Sequence, residues 1–229
     1  MSADAFATTQ RSLHILAEHV LAAARYAVTG RIGLVVVPGG IVTPPFGDDG
    51  RSVGIVGGEL VVRDRDGERR AAITTLRAAA RFVGVVPGAP ANVYTPATPC
   101  TLDEPLAIDL EAYHRVLGWY SLVDAALRRF RDEIADDEPS DITLWPEHFD
   151  VAIRAADVNY GGLAGDATVG APYVYVGPPV DALPAEPSGP WNQPFGASRT
   201  WDEAASVDDA VAFFRAGRTA ARSLVAARN

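Results

Sequence analysis

The residues best suited to chemistry lie in one stretch, Leu144 to Asp166, which combines aromatic, acidic, imidazole and glycine residues. Carboxylates beside an imidazole can transfer protons or bind a cation, and aromatic side chains can line a small-molecule pocket. The stretch contains no HExxH, DxDxDG or EF-hand loop, so no established motif assigns a reaction. The candidate pocket residues are Trp145, Glu147, His148, Asp150, Asn159, Tyr160 and Asp166.

Alternation within this stretch predicts a β-strand with one buried face. Phe149, Val151 and Ile153 alternate with His148, Asp150, Ala152 and Arg154, which is the period-two pattern of a half-buried strand. The opposite face would carry His148, Asp150 and Arg154. Either that face is simply wet, or the connection 157–171 folds over it and closes a pocket lined by His148, Asp150, Tyr160 and Asp166.

Other site chemistries find weaker support in the same residues. Glu147, His148, Asp150 and Asp166 are ligand types that a metal accepts, but their spacing matches no metal motif. Gly161, Gly162 and Gly165 fit neither GxGxxG nor a P-loop, and the acidic residues around them would repel phosphate. No cofactor and no metal is therefore predicted.

Composition and charge restrict the class of protein. The chain has 229 residues, of which 48% are hydrophobic and 21% charged, a balance typical of a folded globular protein. A net charge of −9 disfavours nucleic acid as a partner, because phosphate backbones bind clustered basic residues. Cys100 stands alone, and the sequence has neither a secretory leader nor an apolar run long enough for a membrane span. We expect a soluble, cytoplasmic protein.

The first half begins with a helix and continues with short strands. Apolar residues at helical spacing predict a helix over 9–29 that ends at Gly30. His14 and Glu18 lie off its apolar stripe; they face solvent or, being four residues apart, contribute to a site. We expect a central strand over 31–37 and an extended segment over 41–46 that is either an edge strand or a strand end. A three-stranded meander over 52–73 should follow, with turns at Gly57-Gly58 and Asp66-Gly67, and then a helix that is capped by Thr74 or Thr75 and extends to Val83.

The second half begins with the longest predicted helix. Starting at Asp109, it carries an apolar seam from Val116 to Ile134, which packs either within the chain or against a second copy. A strand over 173–176 should pair with the strand over 149–154. A last helix begins after Ser206.

These elements predict an α+β fold with mainly antiparallel sheets and packed helices. The order is α, three to five strands, α, then α, two to four strands, α, and a two-fold pseudo-repeat is one hypothesis. We interpret 1–229 as one compact unit, with halves 1–86 and 106–229 joined by the Pro-rich segment 87–105.

The last 90 or so residues resemble a known family. In order, LWPEHFDVAI, VNYGGLAGD, PYVYVGPP and PWNQPFGA, followed by a helix with Gly217-Arg218, are similar to an actinobacterial protein family that has no assigned activity. The N-terminal half resembles it only in layout. The resemblance implies a bacterial cytoplasmic protein and supplies no catalytic residue.

Three functions remain open from the sequence. The first is a small-molecule-binding or accessory protein with its pocket in the stretch 144–166. The second is an acid/base or metal-assisted hydrolase that uses His148 with Asp150 and Glu147. The third is a dimeric adaptor that presents the seam of Val116 to Ile134 to another protein.

Overall fold

A computed structural model describes residues 3–166 and 168–226 of the chain. It confirms the α+β class, with helices and two antiparallel five-stranded sheets. The chain divides into two compact units: unit 1 contains Met1–Gly118 and Thr143–Phe149, and unit 2 contains Trp119–Ile142 and Asp150–Asn229. The Pro-rich segment 87–105, predicted to join two halves, lies wholly within unit 1.

The first helix is continuous but changes its geometry midway. It consists of α1 (Ala3–Leu16), a π-helical segment (Ala17–Ala22) and α2 (Ala23–Thr29), and ends at Gly30 with φ 68° as predicted. The helix begins earlier than expected, before Thr9. All six residues of the π-helical segment are buried, because a π turn holds more residues than an α turn and so shifts which side chains face inward.

The first sheet has the strand order β1-β2-β3-β4-β5. Its strands are β1 (Val35–Val37), β2 (Gly40–Val42), β3 (Ser52–Val56), β4 (Glu59–Asp64) and β5 (Gly67–Ala72). Strand β1 is shorter than the central strand predicted over 31–37 and stands first in the strand order, but Leu34 also exchanges two backbone hydrogen bonds with Leu144, at 2.8 and 2.9 Å. Of the two alternatives for 41–46, the strand end is confirmed because β2 ends at Val42, before Pro44, and the edge strand is wrong because β2 lies between β1 and β3.

Local turn chemistry sets the meander of β3, β4 and β5. Gly57 and Gly58 have φ of 65° and 83°, the positive values that a tight hairpin turn of this kind needs. The second turn falls one residue earlier than predicted, at 65–66, because Asp64 pairs with Gly67. Helix α3 (Leu76–Val83) follows, and Thr75 Oγ1 caps it by accepting a hydrogen bond from Ala78 N at 3.1 Å.

The predicted long helix is α4 (Leu110–Glu133), and Asp109 Oδ1 accepts a hydrogen bond from Ala112 N at its start. A 3₁₀ turn over Ala135–Asp137 follows. The seam residues are all at most 2% exposed: Val116, Tyr120, Val123, Leu127, Phe130 and Ile134. The seam is therefore buried within the chain.

The second sheet has the order β10-β9-β8-β7-β6. Its strands are β6 (Thr143–Trp145), β7 (Asp150–Ala155), β8 (Val158–Leu163), β9 (Tyr173–Gly177) and β10 (Ala197–Thr200), with a 3₁₀ turn over Val180–Ala182. Two predictions fail here. The supposed covering loop 157–171 contains β8, which pairs with β7, and β9 pairs with β8 rather than with β7. Five strands exceed the two to four expected.

Helix α5 (Val207–Ala226) closes the described chain, and Ser206 Oγ accepts a hydrogen bond from Asp209 N, as the predicted cap requires. Each half thus runs helix, five strands, helix. The pseudo-repeat has only this loose support, and the predicted extent 1–229 reaches beyond the described residues at both ends. No helix among the described residues is both long and apolar enough to cross a bilayer.

Candidate functional site

The structure assigns the predicted pocket residues to both units. Unit 1 holds Trp145 at the end of β6, and Glu147 and His148 in the turn that follows. Trp145 and His148 are exposed and Glu147 is half-buried. Phe149, with φ 52°, ends this turn and breaks the expected alternation. The prediction that His148 shares a strand face with Asp150 is therefore wrong, because the strand starts only at Asp150.

In unit 2, Asp150 is a structural partner of a tyrosine. It is 4% exposed and accepts a hydrogen bond from Tyr175 Oη at 2.5 Å. A Cβ on Gly161 would lie 2.9 Å from that hydroxyl, so the glycine leaves room for the tyrosine ring to reach Asp150. Burial and the charge of Asp150 raise the pKa of Tyr175. Asp150 thus does not face solvent.

The other predicted residues of unit 2 do not converge on one pocket. Asn159 and Tyr160 are neighbours in β8, so their side chains point to opposite faces of the sheet. Asn159 is exposed, whereas Tyr160 packs in the core against Phe130 and Phe214. Asp166 accepts a hydrogen bond from Tyr173 Oη at 2.7 Å and two more from backbone N–H groups of its own turn.

Unit 1 contains a denser polar cluster, formed where the π-helical segment meets the Pro-rich segment. Glu18 and His19, both buried to 1% exposure or less, belong to the π-helical segment. One Glu18 carboxylate oxygen accepts from Ala97 N at 2.9 Å, and the other accepts from Thr98 N and Thr98 Oγ1 at 2.8 and 2.5 Å. Glu18 therefore has its hydrogen-bonding capacity well used.

His19 also bonds to the Pro-rich segment, through both nitrogens of its ring. Ala89 N donates to His19 Nδ1 at 3.0 Å, so the ring proton belongs on Nε2, which lies 3.0 Å from Thr98 O. Its backbone oxygen also accepts from Gly88 N. We call Glu18 and His19 with these contacts the loop anchor, since they hold the segment 88–98 against the helix.

His14 lies one helical turn before the anchor. Its Nε2 is 2.8 Å from Pro146 O and 3.8 Å from a Glu18 carboxylate oxygen, and its ring stacks on Phe149 with centroids 5.0 Å apart. Burial lowers the pKa of His14, although Glu18 acts in the opposite direction. Neutral imidazole with Nε2 bound to a carbonyl has its Nδ1 lone pair available as a base.

Glu147 and Tyr94 complete the cluster and differ from the anchor. Among the described residues, neither Glu147 Oε2 nor Tyr94 Oη has a hydrogen-bond partner, although both atoms are buried. Burial raises the pKa of Glu147, and Glu18 adds to the effect. Burial with the charges of Glu18 and Glu147 raises the pKa of Tyr94. His14, Tyr94 and Glu147 each interact with Glu18, and we call these three residues the open cluster.

The open cluster can bind or move protons, but its donor set does not form a metal site. Within residues 3–166 and 168–226, no group of three or more His, Cys, Asp or Glu side chains is placed to hold a metal ion. Sequence reasoning found Glu147 and considered His14 with Glu18, but it missed His19 and Tyr94. Tyr94 lies in a Pro-rich segment without periodicity. The only feature of the sequence that could have indicated it is that an aromatic residue is present in such a segment.

No family model, curated protein or solved structure matches the chain. The resemblance to the actinobacterial family stays a prediction.

Proposed function

We propose that this protein binds a small polar molecule through Glu147 and Tyr94 of unit 1. The observation that carries the proposal is that two buried oxygens, Glu147 Oε2 and Tyr94 Oη, have no hydrogen-bond partner in the part of the chain that the structure describes. Buried polar groups are paired in more than about 90% of cases, and each unpaired one costs about 1–3 kcal/mol. A ligand that hydrogen-bonds to both oxygens would remove this cost.

The charges around the cluster favour a neutral or cationic ligand. Glu18 and Glu147 are both acidic, and the chain carries a net charge of −9, so an anion would be repelled. A molecule with an O–H or N–H donor, such as an alcohol or an amine, fits a carboxylate acceptor. The proposal keeps the predicted small-molecule function and moves its centre from His148 and Asp150 to Glu147 and Tyr94.

Two further predictions from the sequence are part of this proposal, and a third is less well supported. The cytoplasmic location given above as an expectation, and the lack of nucleic-acid partners predicted from the acidic charge, belong to it as expectations. The adaptor alternative loses support, because the seam that it would present is buried within the chain.

A pair of tyrosine variants tests whether the Tyr94 hydroxyl is kept for a ligand. Tyr94→Phe removes a hydroxyl without a partner, so we expect the free energy of unfolding to stay constant or rise by up to about 1 kcal/mol. Tyr113→Phe is the matched control, since Tyr113 Oη donates to Gly39 O at 2.7 Å, and should lose about 1–2 kcal/mol. Equal losses in urea denaturation would show that Tyr94 has a structural partner and would refute the proposal.

Thermal shift assays with simple amines and polyols, such as ethanolamine and glycerol, test binding directly. We expect at least one probe to raise the Tm of the wild-type protein, and both Tyr94→Phe and Glu147→Gln to abolish the rise. Glu104→Gln, an exposed change elsewhere in unit 1, should respond like the wild type. A rise that persists in both site variants would place the binding elsewhere and refute the proposal.

One observation favours a catalytic version of the same site. Glu147 has its pKa raised and His14 has its pKa lowered, and such opposed shifts are how one site supplies both an acid and a base. In this version His14 replaces the predicted His148 and Asp150. Chromogenic esters would test it: the rate should rise as His14 loses its proton and fall to background in His14→Gln. An unchanged rate in His14→Gln would exclude this version.

A further inference from the structure

The first sheet ends in a strand whose outer edge is open. Strand β5 is the last strand in the order β1-β2-β3-β4-β5, and five of its six residues are exposed. Its register with β4 sets Gly67 opposite Asp64 across a two-residue turn. Antiparallel hydrogen bonds alternate along a strand, so Gly67, Arg69 and Ala71 bond to β4.

The backbone groups of the intervening residues, Glu68, Arg70 and Ala72, therefore point away from β4. Among the described residues, none of these groups accepts or donates a backbone bond on the outer side. Two residues after Ala72, the same outer edge is already occupied by another part of the chain, because Leu106 N donates a hydrogen bond to Thr74 O at 2.8 Å. The edge beside β5 thus continues a line along which an extended segment is already bound.

A groove of about 520 Å³ lies between β5 and α3 on the Arg69 face of the sheet. Its lining consists of Arg69, Thr75, Arg77, Ala78, Arg81 and Phe82, and includes no acidic residue. Three arginines line this groove although the whole chain has a net charge of −9. Such an excess of one sign attracts the opposite charge.

The three arginines are held differently. Arg77 forms two 2.7 Å hydrogen bonds with Asp103, and Arg69 lies over the Phe82 ring at 5.5 Å. Arg69 has only a 4.0 Å contact with Asp64, and Arg81 forms no ion pair within the described part of the chain. Arg69 and Arg81 are thus the two guanidinium groups with capacity for a further carboxylate.

We propose that β5 and this groove bind an extended acidic peptide of a partner protein, which adds as a sixth strand. Strand addition supplies main-chain hydrogen bonds, and alternate side chains of the added strand share the face of Arg69. Carboxylates at every second position of the peptide would therefore face Arg69 and Arg81. The intervening positions face the other side of the sheet, where Glu68 and Arg70 pair with each other.

Fluorescence anisotropy with labelled synthetic peptides tests the proposal at low ionic strength. The probe alternates Thr and Glu; the controls replace Glu by Gln, or keep the composition but group the glutamates in one block. The full chain should bind the alternating Glu peptide most tightly, with salt-dependent affinity. Equal affinity for all three peptides, or no binding, would overturn the proposal and leave the charged strand as protection of a sheet edge against aggregation.

Three variants separate binding by the arginines of the groove from general electrostatic attraction. Arg81→Gln and Arg69→Gln should each weaken binding by about tenfold, the loss of one charged hydrogen bond. Arg65→Gln, an equal change of charge at the exposed turn outside the groove, should have little effect. An equal weakening by Arg65→Gln would mean general electrostatic attraction and would contradict a site in the groove.

Ala72→Pro tests the open edge itself. It removes an N–H that does not bond to β4, so the sheet should persist, and near-ultraviolet circular dichroism checks this. Peptide binding should be lost, and in the wild-type protein the peptide should shift the amide resonances of Glu68, Arg70 and Ala72. If Ala72→Pro binds normally and inorganic phosphate displaces the peptide, the groove is an anion site without strand addition and the proposal fails. If Ala72→Pro does not fold, the amide shifts in the wild-type protein still decide: unshifted Glu68, Arg70 and Ala72 with the peptide bound would refute strand addition.

Discussion

Two glutamates of unit 1, Glu18 and Glu147, contrast the loop anchor with the open cluster. Glu18 is fully buried and accepts three hydrogen bonds from Ala97 and Thr98. Glu147 is only half-buried, yet one of its oxygens is enclosed without a partner in the described chain. The more deeply buried charge is thus the better compensated one. Burial alone therefore does not single out a carboxylate, whereas a buried oxygen such as Glu147 Oε2, without a hydrogen-bond partner in the described chain, is a feature that needs an explanation.

Glu18→Ala should give the largest effect, because it leaves two backbone N–H groups of the Pro-rich segment unpaired. We expect the free energy of unfolding to fall by about 3–5 kcal/mol. Glu104→Ala, which removes an exposed ion pair with Arg11, should change it by less than about 1 kcal/mol. Urea denaturation measures both. Similar, small losses in the two variants would mean that Glu18 does not anchor the segment.

The contrast extends to His148 and Asp150, which the sequence grouped together. Asp150→Ala removes a buried acceptor of the Tyr175 hydroxyl and should cost about 2–4 kcal/mol. His148→Ala alters an exposed turn residue and should cost less than about 0.5 kcal/mol. Thermal or urea denaturation separates the two. Comparable costs would restore the predicted equivalence of these residues.

The smallest effects should appear in the pH dependence of stability. The pKa of Glu147 is raised from its ordinary 4.5, so its contribution to stability is present below that pH and is lost as the pH rises through the folded-state pKa. Glu147→Gln should therefore gain stability relative to the wild type over that interval. Urea denaturation at a series of pH values measures the difference. A difference that does not vary with pH would contradict the raised pKa.

His14 should behave in the opposite way. Its pKa is lowered from 6.5, so its contribution is present above that pH and is lost as the pH falls through the folded-state pKa. The stability of wild type relative to His14→Gln should fall over that interval in the same denaturation series.

Local chemistry made parts of the fold predictable. Gly57-Gly58 determines a hairpin by itself, and Thr75 caps α3 through a contact three residues away. Strand β8 was missed for a non-local reason. Gly161 and Gly162 resemble loop residues in the sequence, but a Cβ on either would approach backbone or side chains of neighbouring elements to 2.9 Å or less. Only the assembled sheet shows why they are glycines.

The site was predictable only in part, for the same reason. Glu147 was found because it lies in an unusual local sequence. Glu18 was assigned mainly to solvent because helical periodicity of 3.6 placed it off the apolar stripe, an assumption that the π-helical segment breaks. Tyr94 interacts with Glu18 and Glu147, and His19 bonds to residues 70 or more positions away, so no local pattern in the sequence indicates either contact.

The widened turn over Ala17–Ala22 rotates the side chains that follow it around the helix axis, relative to those that precede it. Each α-helical residue advances about 100° around the axis, so a surplus residue turns everything after it by roughly that angle. Leu13 and Leu16 can then keep their orientation in the core while Glu18 and His19 also point inward. Deleting a single residue there would rotate the flanking halves against one another, and only one of them could keep its present partners.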